Sequence, residues 1–274
     1  MLPIALQFYS VRDEAEKDFF GTLKKVKDMG YAGVEFAGLF GHSPDEVKNM
    51  CEELALIPVS AHVPLDEMIA DPEGVVKAYK TIGCRYIAVP YATEERRPGA
   101  EKFDETIEAI KTIGKVCRDN GLTLLYHNHD FEFVKLGGEY GLDILYKSVP
   151  ADLLQTELDT CWVNVGGENP ADYILKYAGR APVVHLKDFV MQGKEKPKKL
   201  YDLIGIDDET EAASEEAFSF KPVGYGVQDW EAILAASEKA GATWVVVEQD
   251  QPDKGNTPLN AAKMSLDYLK KNFG

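Results

Sequence analysis

Basic residues are scarce in this chain: 30 Lys and Arg stand against 46 Asp and Glu, a formal charge of −16. A protein that grips phosphate backbones needs a positive footprint. The densest basic run, Lys194 to Lys199, is short and interrupted by Glu195 and Pro197, so nucleic acid is not expected as a partner. Cysteine is sparse too. Cys51, Cys84, Cys117 and Cys161 are far apart with no Cys-x-x-Cys pair, which excludes a disulfide framework and suits the reduced thiols of a cytoplasmic protein. No apolar run approaches the roughly 20 residues of a membrane span. The opening Met-Leu-Pro-Ile-Ala-Leu-Gln lacks a basic n-region and reads as a first strand, not as a signal peptide. No Gly-x-Gly-x-x-Gly loop follows that strand, which argues against an open, doubly wound dinucleotide-binding sheet.

What is present is alternation. Strand-like runs occur at Ile4–Tyr9, Gly33–Phe36, Ile57–His62, Tyr86–Pro90, Leu122–His127, Leu153–Asp159, Pro182–Lys187 and Thr243–Glu248. Segments of helical spacing separate them, several ending at a glycine (Gly30, Gly83, Gly121, Gly241) or starting at a cap followed by proline (Ser43-Pro44, Asn169-Pro170). Eight such units in 274 residues match the roughly 250 residues of one (β/α)8 barrel. The expectation is a single α/β domain over residues 1–274, a closed TIM barrel. One connection breaks the rhythm: Phe189–Gln228, about forty residues after the seventh strand, is far longer than usual. Its acidic stretch Asp207–Ala217 is expected to form a short helix. The whole segment is expected to cover the barrel mouth or to make an oligomer contact, which leaves a homo-oligomer open.

Such barrels build their sites where strands end. The strand-end residues here are Gln7 and Tyr9, Glu35, His62, Tyr91, His127 with His129, Glu157 and Asp159, His185 and Lys187, and Glu248 with Asp250. Four of the five histidines fall at these ends. Residues i and i+2 of a strand share a face, so Glu157 joins Asp159 and His185 joins Lys187. Carboxylates and imidazoles converging on one dry mouth are costly unless paired or metal-bound. One divalent cation resolves that cost, and the mixed donors suit Mn²⁺, Co²⁺, Zn²⁺ or Fe²⁺ better than Ca²⁺.

The motifs Gln7-Phe8-Tyr9-Ser10-Val11-Arg12-Asp13, Gly30-Tyr31-Ala32-Gly33-Val34-Glu35, Leu158-Asp159-Thr160-Cys161-Trp162, Val184-His185-Leu186-Lys187-Asp188 and Val223-Gly224-Tyr225-Gly226 with Asp229-Trp230 together resemble the xylose isomerase-like superfamily of sugar phosphate isomerases and epimerases. The likeness covers nearly the whole chain. It implies a metal held by Asp159, His185 and Glu248, and a fourth ligand where the family has Glu and this chain has His127. Glu132, in Tyr126-His127-Asn128-His129-Asp130-Phe131-Glu132, is the nearest carboxylate and better matches a substrate contact. The implied activity is sugar isomerisation or epimerisation by proton abstraction beside a metal-bound carbonyl of a sugar or keto-sugar. Glu248 and His127 would replace the family's pair of glutamates, and Lys187 would act as a clamp or counter-ion. Tyr9, Glu35, His62, Glu132 and Trp162 are the expected substrate contacts. The same chemistry can end in β-elimination from a keto-sugar or 3-keto-glycoside, a lyase reaction. A non-catalytic sugar-binding barrel is the reading from another class; it would keep the aromatics but would not need Asp159, His185 and Glu248 together.

Overall fold

The computed structural model describes residues 1–192 and 217–274. Eight parallel strands close into a barrel: β1 Ile4–Gln7, β2 Gly33–Ala37, β3 Ile57–His62, β4 Tyr86–Val89, β5 Thr123–His127, β6 Gln155–Asp159, β7 Val183–Leu186 and β8 Trp244–Val247. Each strand pairs with its sequence neighbours, and β1 closes the ring against β8 through Ile4–Val245 and Leu6–Val247. The outer helices are α1 Phe19–Met29, α2 Pro44–Leu54, α3 Pro72–Ile82, α4 Phe103–Asp119, α5 Gly141–Ser148, α6 Pro170–Lys176, α7 Trp230–Ala240 and α8 Pro258–Phe273. Among the described residues, no helix is long and apolar enough to cross a membrane.

Local signals account for most boundaries. Ser43 and Glu46 form a reciprocal capping box ahead of Pro44, and Gly30, Gly83 and Gly241 close their helices in the left-handed conformation. Short helices at Arg12–Lys17, Leu65–Ala70 and Thr160–Val165 escape periodicity because six residues are too few to show it.

Strand alternation divides the core in two. Leu124, Tyr126, Leu158, Val184, Leu186, Val245 and Val247 face the helices. Ala5, Val59, Tyr86, Ala88, Leu125, Val183 and Val246 fill the barrel interior. On β1, β5, β7 and β8 the inward residue two positions later is polar: Gln7, His127, His185 and Glu248. β3 departs from simple alternation. Its register with β2 slips between Val34 and Glu35, so that Val34 faces Pro58 but Glu35 faces Ser60. Val59 is the extra residue of this bulge and packs inside, Ala61 points to the helices, and Ser60 and His62 reach the interior carboxylate Glu35.

The long connection after β7 begins and ends as an antiparallel ribbon, Asp188–Met191 with Phe218–Lys221. Phe189, Phe218 and Phe220 pack there with Cys161 and Trp162. Asp188 then gathers the returning chain: it accepts from the backbone N–H of Phe189, Gly224, Gly226 and Gln228 and from Trp230 Nε1, at 2.9–3.3 Å. A Cβ at Gly226 would collide with the Asp188 carboxylate and the Phe189 carbonyl, which explains that glycine. The basic run Lys194–Lys199, Tyr201 and the helix expected over Asp207–Ala217 (Ala217 apart) lie outside the described residues.

Gly114 tests how tightly this shell is packed. It sits in the middle of α4, where alanine would gain up to about 1 kcal/mol in helix propensity. A Cβ there would meet the backbone carbonyl of Leu153, which cannot rotate away, and overpacking of this kind typically costs ~1–3 kcal/mol. Gly114→Ala is expected to lower stability in urea unfolding by about 1–2 kcal/mol net. A variant as stable as the parent would show that α4 can move off Leu153.

Candidate active site

The polar layer above the apolar barrel core contains two joined clusters. In the upper one, donors of His127, Asp159, His185 and Glu248 lie within 4.8 Å of one another, all four residues buried. Three of them, His127, His185 and Asp159, are oriented by the atom they do not turn to the cluster. His127 Nδ1 is 3.1 Å from the Pro90 carbonyl, to which it donates, so Nε2 faces Asp159 Oδ2 at 3.3 Å and Glu248 Oε2 at 3.5 Å. His185 Nε2 pairs with Glu35 Oε1 at 2.7 Å, leaving Nδ1 at 3.1 Å from Glu248 Oε2. Asp159 Oδ1 caps the helix Thr160–Val165 by accepting from Trp162 N at 3.0 Å, and its own N–H donates to Asn128 Oδ1 at 3.0 Å. The remaining atoms, His127 Nε2 and Asp159 Oδ2, are buried without a hydrogen-bond partner among the described residues. Such a donor set can hold a divalent ion.

Electrostatics are set by burial against charge pairing. Burial disfavours a charged His127, but Asp159 and Glu248 outweigh it and hold the imidazole up at about 9. Burial likewise opposes ionisation of Glu248, yet Lys187, His127 and His185 keep its carboxylate well below the usual range. Lys187 is 1% exposed. It pairs with Asp250, with Glu248 Oε2 at 3.1 Å and with Asp159 Oδ2 at 3.7 Å, and lies 5.3 Å from the Trp162 ring centroid. Burial works against its charge, and the three carboxylates hold its pKa well above the ordinary lysine value.

The lower cluster joins Glu35, His62, Glu157 and His185. His62 Nε2 stands 2.7 Å from Glu157 Oε2 and 3.2 Å from Glu35 Oε1, and Gln7 Nε2 and Ser60 Oγ donate to Glu35. Burial and the charge of Glu35 push Glu157 well above the carboxylate range. Burial lowers His62 to about 4, so this imidazole is neutral at physiological pH.

A cavity of about 430 Å³ opens over the upper cluster, with Tyr9, His62, Tyr91, His127, His129 and Lys187 among its walls. Of the expected substrate contacts, Tyr9 and His62 line it. Glu35, Glu132 and Trp162 are fully buried and stand behind the wall. Glu35 is spent on His185. Trp162 lies under His129, ring centroids 5.3 Å apart. Glu132 accepts from Tyr126 Oη at 2.6 Å and His129 N at 2.7 Å, because the 3₁₀ turn at Phe131–Phe133 directs its side chain back under the loop; it takes no part in the four-donor group. Asn128, the Pro90 carbonyl and Ser60 were not anticipated. An asparagine between two histidines carries no periodic signal, and a backbone carbonyl carries none at all.

A family model for the xylose isomerase-like TIM barrel matches residues 23–272. The chain belongs to the xylose isomerase-like TIM barrel family. Within that family it is similar to inosose dehydratases. It is 28% identical to that of Clostridium beijerinckii over 177 residues, 64% of this chain and 56% of the relative. It is 23% identical to that of Geobacillus kaustophilus over 91% of this chain and 86% of the relative. The match to the Clostridium protein thus spans little more than half of that relative's length. The IOLI protein, solved with a zinc atom, has the same fold: TM-score 0.72, 16% identity, covering 98% of this chain and 97% of that one.

Glu132 makes a pH-dependent contribution that can be isolated. Burial pushes it up to about 8, against hydrogen bonds from Tyr126 and His129 that favour the ionised form. Its folded pKa therefore lies above the unfolded value near 4.3. Between those values the folded chain binds more protons than the unfolded one, so stability falls as pH rises. Glu132→Gln removes this dependence. The Tm of the variant minus that of the parent is expected to become more positive, by a few degrees, between about pH 5.5 and about pH 8.5. A difference that stays flat would show that Glu132 is ionised throughout.

Proposed function

We propose that this protein is a divalent-metal-dependent lyase that removes a proton beside the carbonyl of a small ketose or keto-polyol and expels the oxygen on the next carbon. The observation that carries this reading is the pairing of Glu248 with Lys187, 3.1 Å apart on one wall of the cavity, where His127 stands in the place of a second carboxylate. An epimerase needs proton-transfer groups on opposite faces of its substrate, whereas elimination needs one base and one acid. His127, Asp159, His185 and Glu248 would hold the ion, and His127 Nε2 and Asp159 Oδ2, which face each other at 3.3 Å without a hydrogen bond, fit that role. When bound, such an ion supplies Lewis acidity that polarises a ketone and acidifies the neighbouring C–H.

The chain's own groups complete the chemistry. Glu248, ionised at neutral pH, takes the proton as the C–H bond breaks. Lys187, held charged, protonates the oxygen as the C–O bond breaks, so that water departs and an unsaturated ketone remains. Transfer of the proton from Glu248 back to Lys187 restores the starting state. Tyr9, His62 and His129 offer the wall groups for the remaining hydroxyls. The likeness to inosose dehydratases supports this outcome, and the zinc of the IOLI protein supports the metal. A screen of ketoses and keto-polyols in D₂O with Mn²⁺, read by NMR, tests it. Loss of water supports the lyase, and deuterium uptake with rearrangement but no elimination would favour an isomerase.

Two variants sharpen the test. Metal analysis of the purified protein is expected to give one divalent ion per chain and far less in Asp159→Asn; undiminished binding in that variant would remove Asp159 from the ligand set. Glu248→Gln is expected to keep the fold and lose at least about a thousandfold in turnover, within the range for a lost general base. Turnover within about tenfold of the parent, a barrier change of only ~1.4 kcal/mol, would show that another group takes the proton.

A further inference from the structure

The opening motif Gln7–Asp13 puts one side chain, Tyr9, on the cavity wall. Two others, Ser10 and Arg12, reach across the seam of the barrel where β1 meets β8. Strand β8 ends at Val247, and beyond it Glu248 N still donates to the Leu186 carbonyl at 3.2 Å. Gln249 and Asp250 follow outside the strand ladder. The motif supplies what the sheet no longer does. Ser10 Oγ accepts from Gln249 N at 3.0 Å. Arg12 Nη1, which carries more than one hydrogen, donates to the Asp250 carbonyl at 2.7 Å and to the Tyr9 carbonyl at 2.8 Å. Its Cζ lies 4.0 Å from the Tyr9 ring centroid, so the group that ties the two backbones also backs a wall residue. A planar guanidinium suits this double duty better than a lysine ammonium.

The carboxylate of Asp250 pairs with Lys187 Nζ, which also stands 3.1 Å from Glu248 Oε2. Lys187 is thus drawn both to the proposed base and to a second carboxylate. That division matters for elimination. An ammonium drawn to Glu248 alone would quench the base and have no proton to spare for the departing oxygen. Building on the lyase reading above, we infer that Arg12 is a positioning residue: by fixing the backbone of Asp250 it holds that carboxylate against Lys187, and so keeps the acid of the reaction from collapsing onto its base. Arg12 is not among the residues lining the cavity, whereas Tyr9, Lys187, Glu248 and Asp250 all are. It acts through them, from behind the wall.

The two halves of the elimination separate this role from a merely structural one. Exchange of the proton beside the ketone needs the base alone, and loss of water needs the acid as well. The probes are inosose and fructose in D₂O with Mn²⁺-loaded protein. Arg12→Met keeps apolar cover on the Tyr9 ring but no donor. It is expected to lose about a hundredfold in dehydration, the order of a ~1 Å misplacement, and less than about tenfold in exchange. Asp250→Asn keeps the carbonyl that Arg12 holds and is expected to show the same split, so the test survives if Arg12→Met does not fold. The side-chain ¹H–¹⁵N signal of Lys187, in Zn²⁺-loaded protein labelled at lysine Nζ and identified by its loss in Lys187→Met, is expected to shift in both variants. Dehydration and exchange that fall together in either variant, or a Lys187 signal left at its parent position, overturn the positioning role and leave the lyase reading standing. A parent protein that removes water from neither compound overturns the lyase reading and the inference with it.

Discussion

Glu35 is fully buried at the centre of the barrel and accepts from Gln7, Ser60 and His185, with His62 Nε2 3.2 Å away. An isolated carboxylate there would be prohibitively costly; burial works against it, and the charge of His185 above all holds it ionised. The interaction runs in both directions. Glu35 fixes which nitrogen of His185 is engaged, and thereby which one faces Glu248. Strands β1, β2, β3 and β7, half of the barrel, meet at this single carboxylate, so the register of three adjacent strands and the orientation of one imidazole of the polar layer depend on the same few hydrogen bonds.

The same division of labour recurs above it. His127 gives one nitrogen to the Pro90 carbonyl, and Asp159 gives one oxygen to a helix cap. In each case the backbone occupies one atom and thereby aims the other. Preorganisation of this kind places the cost of ordering the site in the folding of the barrel and not in the binding of its ligand. Glu248 differs: its Oε2 is shared among His185, Lys187 and His127, so it is held by charge and not by backbone, and it is the group best able to change partners.

Most of the barrel was legible because each of its elements advertises a period. The run Ile57–His62 coincides with an observed strand, and the glycines Gly30, Gly83 and Gly241 mark the ends of the helices they follow. The strand ends pointed to His127, Asp159, His185 and Glu248 because inward polar residues two positions beyond an apolar one have nowhere else to go. What escaped depends on relations across the fold. Whether Glu35 and Trp162 touch the cavity or stand behind it is decided by neighbouring strands. Glu132 looks like a pocket residue along the chain, and a single 3₁₀ turn folds it under. The surroundings of Asp188 are set only when the chain returns some forty residues later and adds three backbone N–H groups and an indole to the N–H of its neighbour Phe189.

The bulge at Val59 has a consequence for how this barrel can vary. Along a regular strand, inward and outward positions form two fixed sets, and a residue cannot change sets by substitution. One inserted residue shifts the phase of everything after it. Here it lets Val59 seal the apolar floor while Ser60 and His62 join the polar layer, two duties that strict alternation would assign to different strands. Exchanging Val59 for another side chain therefore alters packing, and deleting it would restore a regular ladder in which Ser60 still faces Glu35 and His62 still faces Ala37, at the loss of the apolar plug beneath them. The bulge thus adds an interior apolar residue to β3 without moving its imidazole from the mouth.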